Sequence, residues 1–182
     1  VNLFLETIDK ALQAGTITEA AAARYSGEGY FTRAYIYLAL ARRYGGVPII
    51  DHVQDGEYVQ GSDNETLYVP RSTEKATWEF ILADCDRAAE RLPAEVSDYR
   101  ATKWAALALK SRAALYAASI AKYSAKYTMS GPAVSNNLVG MSPADADAFY
   151  QQCISASETI IKQSGKVLHG GRQTKREGAV AK

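Results

Sequence analysis

One long helical segment, from Gly27 to Pro48, places the strongest constraint on how this 182-residue chain can fold. Its apolar side chains recur every three or four residues, the spacing of a single buried stripe on a helix. They are Tyr30, Phe31, Ala34, Tyr35, Leu38 and Ala41. Gly45 can adopt the left-handed conformation that ends a helix, and Pro48 prevents the helix from resuming. The segment therefore predicts a buried helix with a defined end.

Capping patterns predict the positions of the other helices. The first covers residues 2–14, and its predicted buried face is Leu3, Phe4, Ile8, Ala11 and Leu12. The second begins near Thr18 because residues 16–19 have capping-box spacing. The third begins after Pro70 with Ser72 or Thr73 as its cap. Residues 47–68 between them are rich in glycine and polar residues, which predicts a long surface loop with at most a short strand.

Two more helices complete the predicted set. Thr102 caps a fourth helix that is alanine-rich on nearly every side, which indicates close neighbours and a central position. Ser142 and Pro143 begin a fifth helix, which Gly165 ends. Five main helices with long loops predict an all-α fold of irregular tetratricopeptide-like hairpins. No clean 34-residue self-similarity is present, so an ordinary helical bundle is the alternative that the sequence leaves open.

Composition excludes several classes of function. Lys and Arg total 21 against 20 Asp and Glu, so the net charge is +1 and gives no electrostatic support for binding nucleic acid or anionic lipid. The sequence contains no window of about 18 apolar residues, so it predicts no membrane-spanning helix. Cys85 and Cys153 each fall on an apolar helical stripe, which predicts buried packing for both.

No arrangement of residues predicts catalysis, a metal site or a cofactor. His52 and His169 are the two histidines, and neither lies at metal-ligand spacing from a cluster of Cys, Asp or Glu. No GxSxG motif places a nucleophile. The chain is therefore predicted not to be an enzyme.

Several charged residues have structural interpretations. The paired carboxylates, Asp84 with Asp86 and Asp145 with Asp147, are interpreted as solvated helix faces. Glu28 and Arg33 are predicted to anchor neighbouring loops through side-chain hydrogen bonds.

Three blocks of this sequence resemble the SusD/RagB family, the glycan-binding lipoproteins of Gram-negative cell surfaces. GEGYFTRAYIYLALARRYGGVPII, from Gly27 to Ile50, is similar to the family pattern GEARFLRAYYYFDLVRRYGGVPLI. PRST at residues 70–73, followed by a helix that stops at Leu-Pro, is similar to a second pattern. RATKWAALALKSRAALYAA, residues 100–118, resembles RATKGAALALKARVLLYAA. Three residues depart from the family preference, namely Trp104, Gly29 and Thr32. These departures bear on local packing and not on the resemblance to the family.

The resemblance implies a fold, a partner and a location. Residues 1–169 would be part of the family's helical scaffold, exposing apolar surface where the rest of a longer protein docks, and residues 170–182 would be a disordered tail. Family members are outer-membrane surface lipoproteins that capture oligosaccharide and pass it to a TonB-dependent, SusC-like transporter. A helical-repeat module that binds proteins and no sugar is the alternative.

The resemblance does not locate the sugar site, so the aromatic residues must be weighed individually. Aromatic faces bind sugars when they are exposed. Most aromatics lie at helical spacing and are predicted to be core, namely Tyr30, Phe31, Tyr35, Trp78 and Phe149. Tyr58 and Tyr68, which flank Asn64 in the polar loop, are the predicted glycan-binding residues.

Overall fold

A computed structural model describes residues 1–54 and 67–167, and in that part of the chain all of the regular structure is helical. The helices are α1 (Asn2–Gln13), α2 (Glu19–Tyr44), α3 (Glu74–Arg91), α4 (Lys103–Ser124), α5 (Pro132–Ser135) and α6 (Ala146–Gln163). One turn of 3-10 helix, Pro143–Asp145, precedes α6. The all-α prediction is confirmed. None of the helices described is both long enough and apolar enough to cross a membrane.

The helix boundaries follow the capping residues. The side chains of Thr18, Thr73 and Thr102 accept hydrogen bonds from backbone N–H groups three residues ahead, at 3.1 to 3.2 Å. These bonds satisfy amides that have no partner inside the helix. Gly45 ends α2 with φ +70°. The short helix α5 was not predicted, because Gly131 and Pro132 were its only local signals.

Consecutive long helices pack as antiparallel neighbours, first α1 on α2 and then α2 on α3. Asn2 at the start of α1 bonds to Arg33 in the middle of α2. Arg33 in turn pairs with Asp84 in the middle of α3. Gly27, early in α2, lies against Leu92 just past the end of α3.

The same antiparallel order continues from α3 through α4 to α6. Asp86 of α3 pairs with Lys110 of α4, and Trp78, earlier in α3, stacks on Tyr116, later in α4. Lys122 at the end of α4 lies over the Tyr150 ring near the start of α6. The chain is thus a row of helical hairpins in sequence order.

Alanines make α4 the centre of the core, as its composition predicts. One side of α4 packs on α3 and another on α6. Its fully buried alanines are Ala106, Ala113, Ala114, Ala117, Ala118 and Ala121. Small side chains let the helix axes approach closely, so contact is made on several sides of α4 at once. Trp78 and Ile81 fill the α3 side of this core with no exposed surface.

The predicted buried face of α1 is confirmed at Ile8 and is wrong at Leu3, Phe4 and Leu12. Leu3 is 65% exposed and Phe4 is 43% exposed, while Leu5 and Ile8 are buried. The reason is close packing on α2 at Gly29, where a Cβ would lie 2.7 Å from Leu5 Cδ2. Gly29, a departure from the family preference, thereby makes room for Leu5.

Two further predictions about burial are corrected by the structure. Tyr35 is 60% exposed, so the buried stripe of α2 is narrower than the spacing of its aromatics indicates. Asp84 is fully buried and does not lie on a solvated face. Its i+2 neighbour Asp86 is partly exposed, because residues two apart on a helix point in different directions.

Candidate functional site

A buried ion pair ties three segments together at the middle of α2. Arg33 Nε and Nη2 donate to the Asp84 carboxylate oxygens at 2.6 and 2.9 Å. Arg33 Nη1 also donates to Asn2 Oδ1 at 2.9 Å and to the Asp51 carbonyl at 3.1 Å. The guanidinium therefore links α1, α3 and the loop after α2, which is the anchoring role predicted for Arg33.

Arg33 remains charged although it is buried. Burial lowers the pKa of Arg33, but hydrogen bonding and attraction to Asp84 outweigh that effect, so its pKa is raised overall. The guanidinium carbon also lies 5.4 Å from the Tyr30 ring centre and 5.0 Å from that of Phe80. Its fork geometry and aromatic contacts suit arginine and would not suit lysine.

Glu28 anchors the loop between α3 and α4. Arg100 donates to Glu28 through Nε at 2.7 Å and through Nη2. The hydrogen bond to Glu28 raises the pKa of Arg100. One helical turn before Glu28, Arg24 pairs with Asp98 of the same loop, and this hydrogen bond lowers the pKa of Asp98. Glu28 thus has a structural role, as predicted.

The segment after α2 is fixed by hydrogen bonds to its backbone. The Tyr37 hydroxyl donates to the Pro48 carbonyl at 3.1 Å and accepts from the Ile50 N–H at 2.9 Å. Arg71 donates to the carbonyls of Gly46 and Tyr44 at 2.8 and 2.6 Å. The Gly-Gly-Val-Pro turn is therefore held by side chains from α2 and from the segment before α3.

Of the three predicted glycan-binding residues, the structure describes one, Tyr68. Tyr68 is 79% exposed, as a binding platform requires. Tyr58 and Asn64 lie outside the described residues, so the predicted grouping stays a prediction. His52 is exposed and its Nδ1 lies 2.9 Å from Asp51 Oδ1, a hydrogen bond that lowers the pKa of Asp51. His169 also lies outside the described residues.

A second group of aromatic residues lines a cavity of about 460 Å³ near the ends of α2 and α4. We call it the tyrosine cleft and define it by Tyr44, Tyr116, Tyr123 and Tyr127. Arg42, Arg43, Met129 and Val139 complete much of its wall. Its size lies within the range of about 300–1,000 Å³ that is usual for small-molecule sites.

Sequence reasoning missed this cleft, although α4 contains a signal for it. The alanines of α4 at positions 113, 114, 117, 118 and 121 supply a complete buried face. Tyr116 lies between those positions and Tyr123 follows the last of them, and the two are 37% and 42% exposed. Aromatics interleaved with a complete alanine face therefore indicate an exposed aromatic surface.

The two thiols are both free, and they differ in burial. Cys85 is fully buried against α4, and burial raises the pKa of its thiol to about 12. Cys153 is half-buried, 3.5 Å from Ser111 Oγ. Within residues 1–54 and 67–167, no group of three or more His, Cys, Asp or Glu could hold a metal ion.

We predict that Cys85 will not react with an aromatic disulfide reagent at pH 8 while the protein is folded. A pKa of about 12 leaves about one thiolate in ten thousand at that pH, and the sulfur has no solvent access. The Cys153→Ser variant isolates Cys85 for this measurement. Labelling should appear only when denaturant unfolds the chain; fast labelling of the native variant would contradict the burial.

Comparison with known proteins places this row of helical hairpins in a family of helical surface proteins. The SusD-like family described as "Starch-binding associating with outer membrane" matches residues 1–115. The chain belongs to this family. A curated relative, SusD-like protein P38 of Formosa agariphila, is 31% identical over 93 residues, which are 51% of this chain and 17% of P38.

Solved structures share the fold. A SusD-like protein from Bacteroides fragilis NCTC 9343 is 30% identical, with a TM-score of 0.59 over 90% of this chain and 26% of that protein. A crystal structure with xylogluco-oligosaccharide is 20% identical, with a TM-score of 0.65 over 92% of this chain and 27% of that protein. The chain thus spans about a quarter of the length of these solved proteins.

Proposed function

We propose that this chain is the scaffold part of a cell-surface, glycan-binding SusD-like protein that captures oligosaccharide. The observation that carries the proposal is the family match over residues 1–115, because the matched family is described as starch-binding and associated with the outer membrane. A structural neighbour crystallised with xylogluco-oligosaccharide supports the same class of ligand.

The proposed mechanism is capture and transfer, with no covalent step. The scaffold holds binding residues in place through the Arg33 and Glu28 anchors, so a bound glycan meets a preorganised surface. The longer protein would be lipid-anchored at the outer face of the outer membrane. There it would pass the glycan to a TonB-dependent, SusC-like transporter. The protein is accordingly proposed not to be an enzyme.

A protein-binding module without sugar affinity is the second candidate. Exposed apolar side chains on α2 and α4 favour it, since protein interfaces contain such residues. They include Tyr35, Ile36 and Leu115, which are 60%, 46% and 49% exposed.

Calorimetric titration with a glycan panel tests the proposal. The panel contains starch, xyloglucan, laminarin and acidic plant and algal oligosaccharides, each titrated into the chain. Saturable binding of at least one glycan, lost when the chain is unfolded by denaturant, is expected. Absence of binding throughout the panel, with stoichiometric binding of a purified protein partner, would favour the second candidate.

A further inference from the structure

The tyrosine cleft presents aromatic surface from three separate segments of the chain. Tyr44 ends α2, Tyr116 and Tyr123 belong to α4, and Tyr127 follows α4. Tyr44 and Tyr127 are 58% and 72% exposed, so much of each ring is accessible. Tyrosine combines an apolar ring face with a hydroxyl, which suits a ligand that has both C–H surfaces and hydroxyl groups.

Four cations surround these rings. Arg42 and Arg43 line the cleft, and Arg42 lies 4.8 Å from the centre of the Tyr116 ring. Lys122 and Lys126 lie 5.9 and 4.7 Å from the centre of the Tyr123 ring. Among the described residues, none of the four forms an ion pair with a carboxylate.

Of the described residues that line the cleft, one is a carboxylate, Glu74, and it is already hydrogen-bonded. Glu74 is 5% exposed and accepts hydrogen bonds from Trp78 Nε1 at 3.3 Å and from the Gly140 N–H at 2.6 Å. Its two oxygens are therefore held by Trp78 and Gly140 and do not pair with Arg42 or Arg43. The accessible surface of the cleft is cationic and aromatic, although the whole chain has a net charge of only +1.

From this arrangement we propose that the tyrosine cleft binds an acidic glycan, one that carries carboxylate or sulfate groups. The inference rests on the proposed glycan-binding function and specifies its site and class of ligand. Arginine guanidinium groups bind carboxylate and sulfate oxygens through paired hydrogen bonds. The tyrosine rings would contact the sugar faces between the charged groups, so the two residue types match the two parts of an acidic sugar.

Helix stabilisation is the competing explanation for the cations. Arg42, Arg43 and Lys122 lie in the last turns of their helices, where positive charge is favourable. That role needs no ligand and predicts no preference for acidic over neutral sugars. The two explanations therefore differ in an observable that does not depend on protein stability.

Matched ligand pairs separate charge from shape. The chain is titrated calorimetrically with oligogalacturonate and with its methyl-esterified form, and with sulfated and unsulfated laminari-oligosaccharide. The charged member of at least one pair is expected to bind about tenfold more tightly or better. This difference should shrink as the salt concentration rises, because the cleft is solvent-accessible.

Substitutions locate the binding. Tyr127→Ala and Arg43→Gln change exposed side chains, and each is expected to weaken binding of the acidic glycan about tenfold with little change in melting temperature. Tyr99→Ala and Lys10→Gln are the controls, as an exposed tyrosine and an exposed lysine outside the cleft. Tyr68→Ala tests the loop tyrosine that the sequence predicts.

Each alternative result has a definite meaning. Acidic-glycan binding that survives both cleft substitutions, or that is lost only in Tyr68→Ala, overturns the cleft as the site. A glycan bound equally in charged and uncharged forms overturns the acidic class and leaves the proposed function intact. No binding to any glycan overturns this inference together with the proposed function.

Discussion

Replacing Asp84 with alanine is expected to lower the free energy of unfolding by about 3–5 kcal/mol. The carboxylate is fully buried, and its removal leaves the Arg33 guanidinium, itself 5% exposed, without its main partner. A buried charge without a partner is far more costly than the loss of one hydrogen bond. Urea denaturation followed by circular dichroism measures the change.

Asp86→Ala provides the matched control for this experiment. Asp86 is two residues further along the same helix, but its pair with Lys110 is partly exposed, so a loss below about 1 kcal/mol is expected. The double substitution Arg33→Met with Asp84→Leu should restore much of the stability lost in Asp84→Ala. Equal losses in Asp84→Ala and Asp86→Ala would contradict the assigned role of the buried pair.

Gly46→Ala is expected to lower the free energy of unfolding by about 3 kcal/mol. An added Cβ would overlap the carbonyl oxygen of Ser72 and lie 2.8 Å from the Glu74 nitrogen. Both are backbone atoms at the start of α3, so the helix itself would have to move. Thermal and urea denaturation measure the loss.

Gly15→Ala is the control, because it replaces a glycine without introducing a steric clash. Gly15 has φ +67° and no atom within 4 Å of an added Cβ, so its substitution introduces only backbone strain. That strain is expected to cost about 1–2 kcal/mol. If Gly46→Ala is no less stable than Gly15→Ala, the turn after α2 does not approach the start of α3 as closely as the structure shows.

Local sequence patterns predicted the elements of this fold well. The threonine caps, Gly45 and the alanine-rich α4 depend on interactions within a few residues, so the sequence contains the necessary information. Which face of a helix is buried was less predictable. Leu5 is buried because it meets Gly29, and that pairing of two helices is not encoded in the periodicity of either one.

Asp84 illustrates the same limit for charged residues. Its partner Arg33 is 51 positions away, so a local reading of Asp84 with Asp86 could not identify it. The family resemblance supplied the fold but no pairing of these residues.

The candidate site was predicted least well, for a related reason. Helical spacing predicts that most aromatics are core, which leaves Tyr58, Asn64 and Tyr68 of the loop as the predicted binding residues. The alanines of α4 form its buried face, so Tyr116 and Tyr123 lie on other faces and are partly exposed. The cleft also needs Tyr44 from α2, and the proximity of these helix ends emerges only when α2, α3 and α4 are packed together.

An amide-resolved NMR titration of the isotope-labelled chain tests the central claim most directly, which is that this SusD-like scaffold itself contacts an acidic glycan. The ligand is the tightest-binding acidic oligosaccharide of the calorimetric panel. We expect chemical-shift changes concentrated at residues 42–45, 116–129 and 139–140. Shift changes that avoid these segments, or a spectrum unchanged at saturating ligand, would contradict the account.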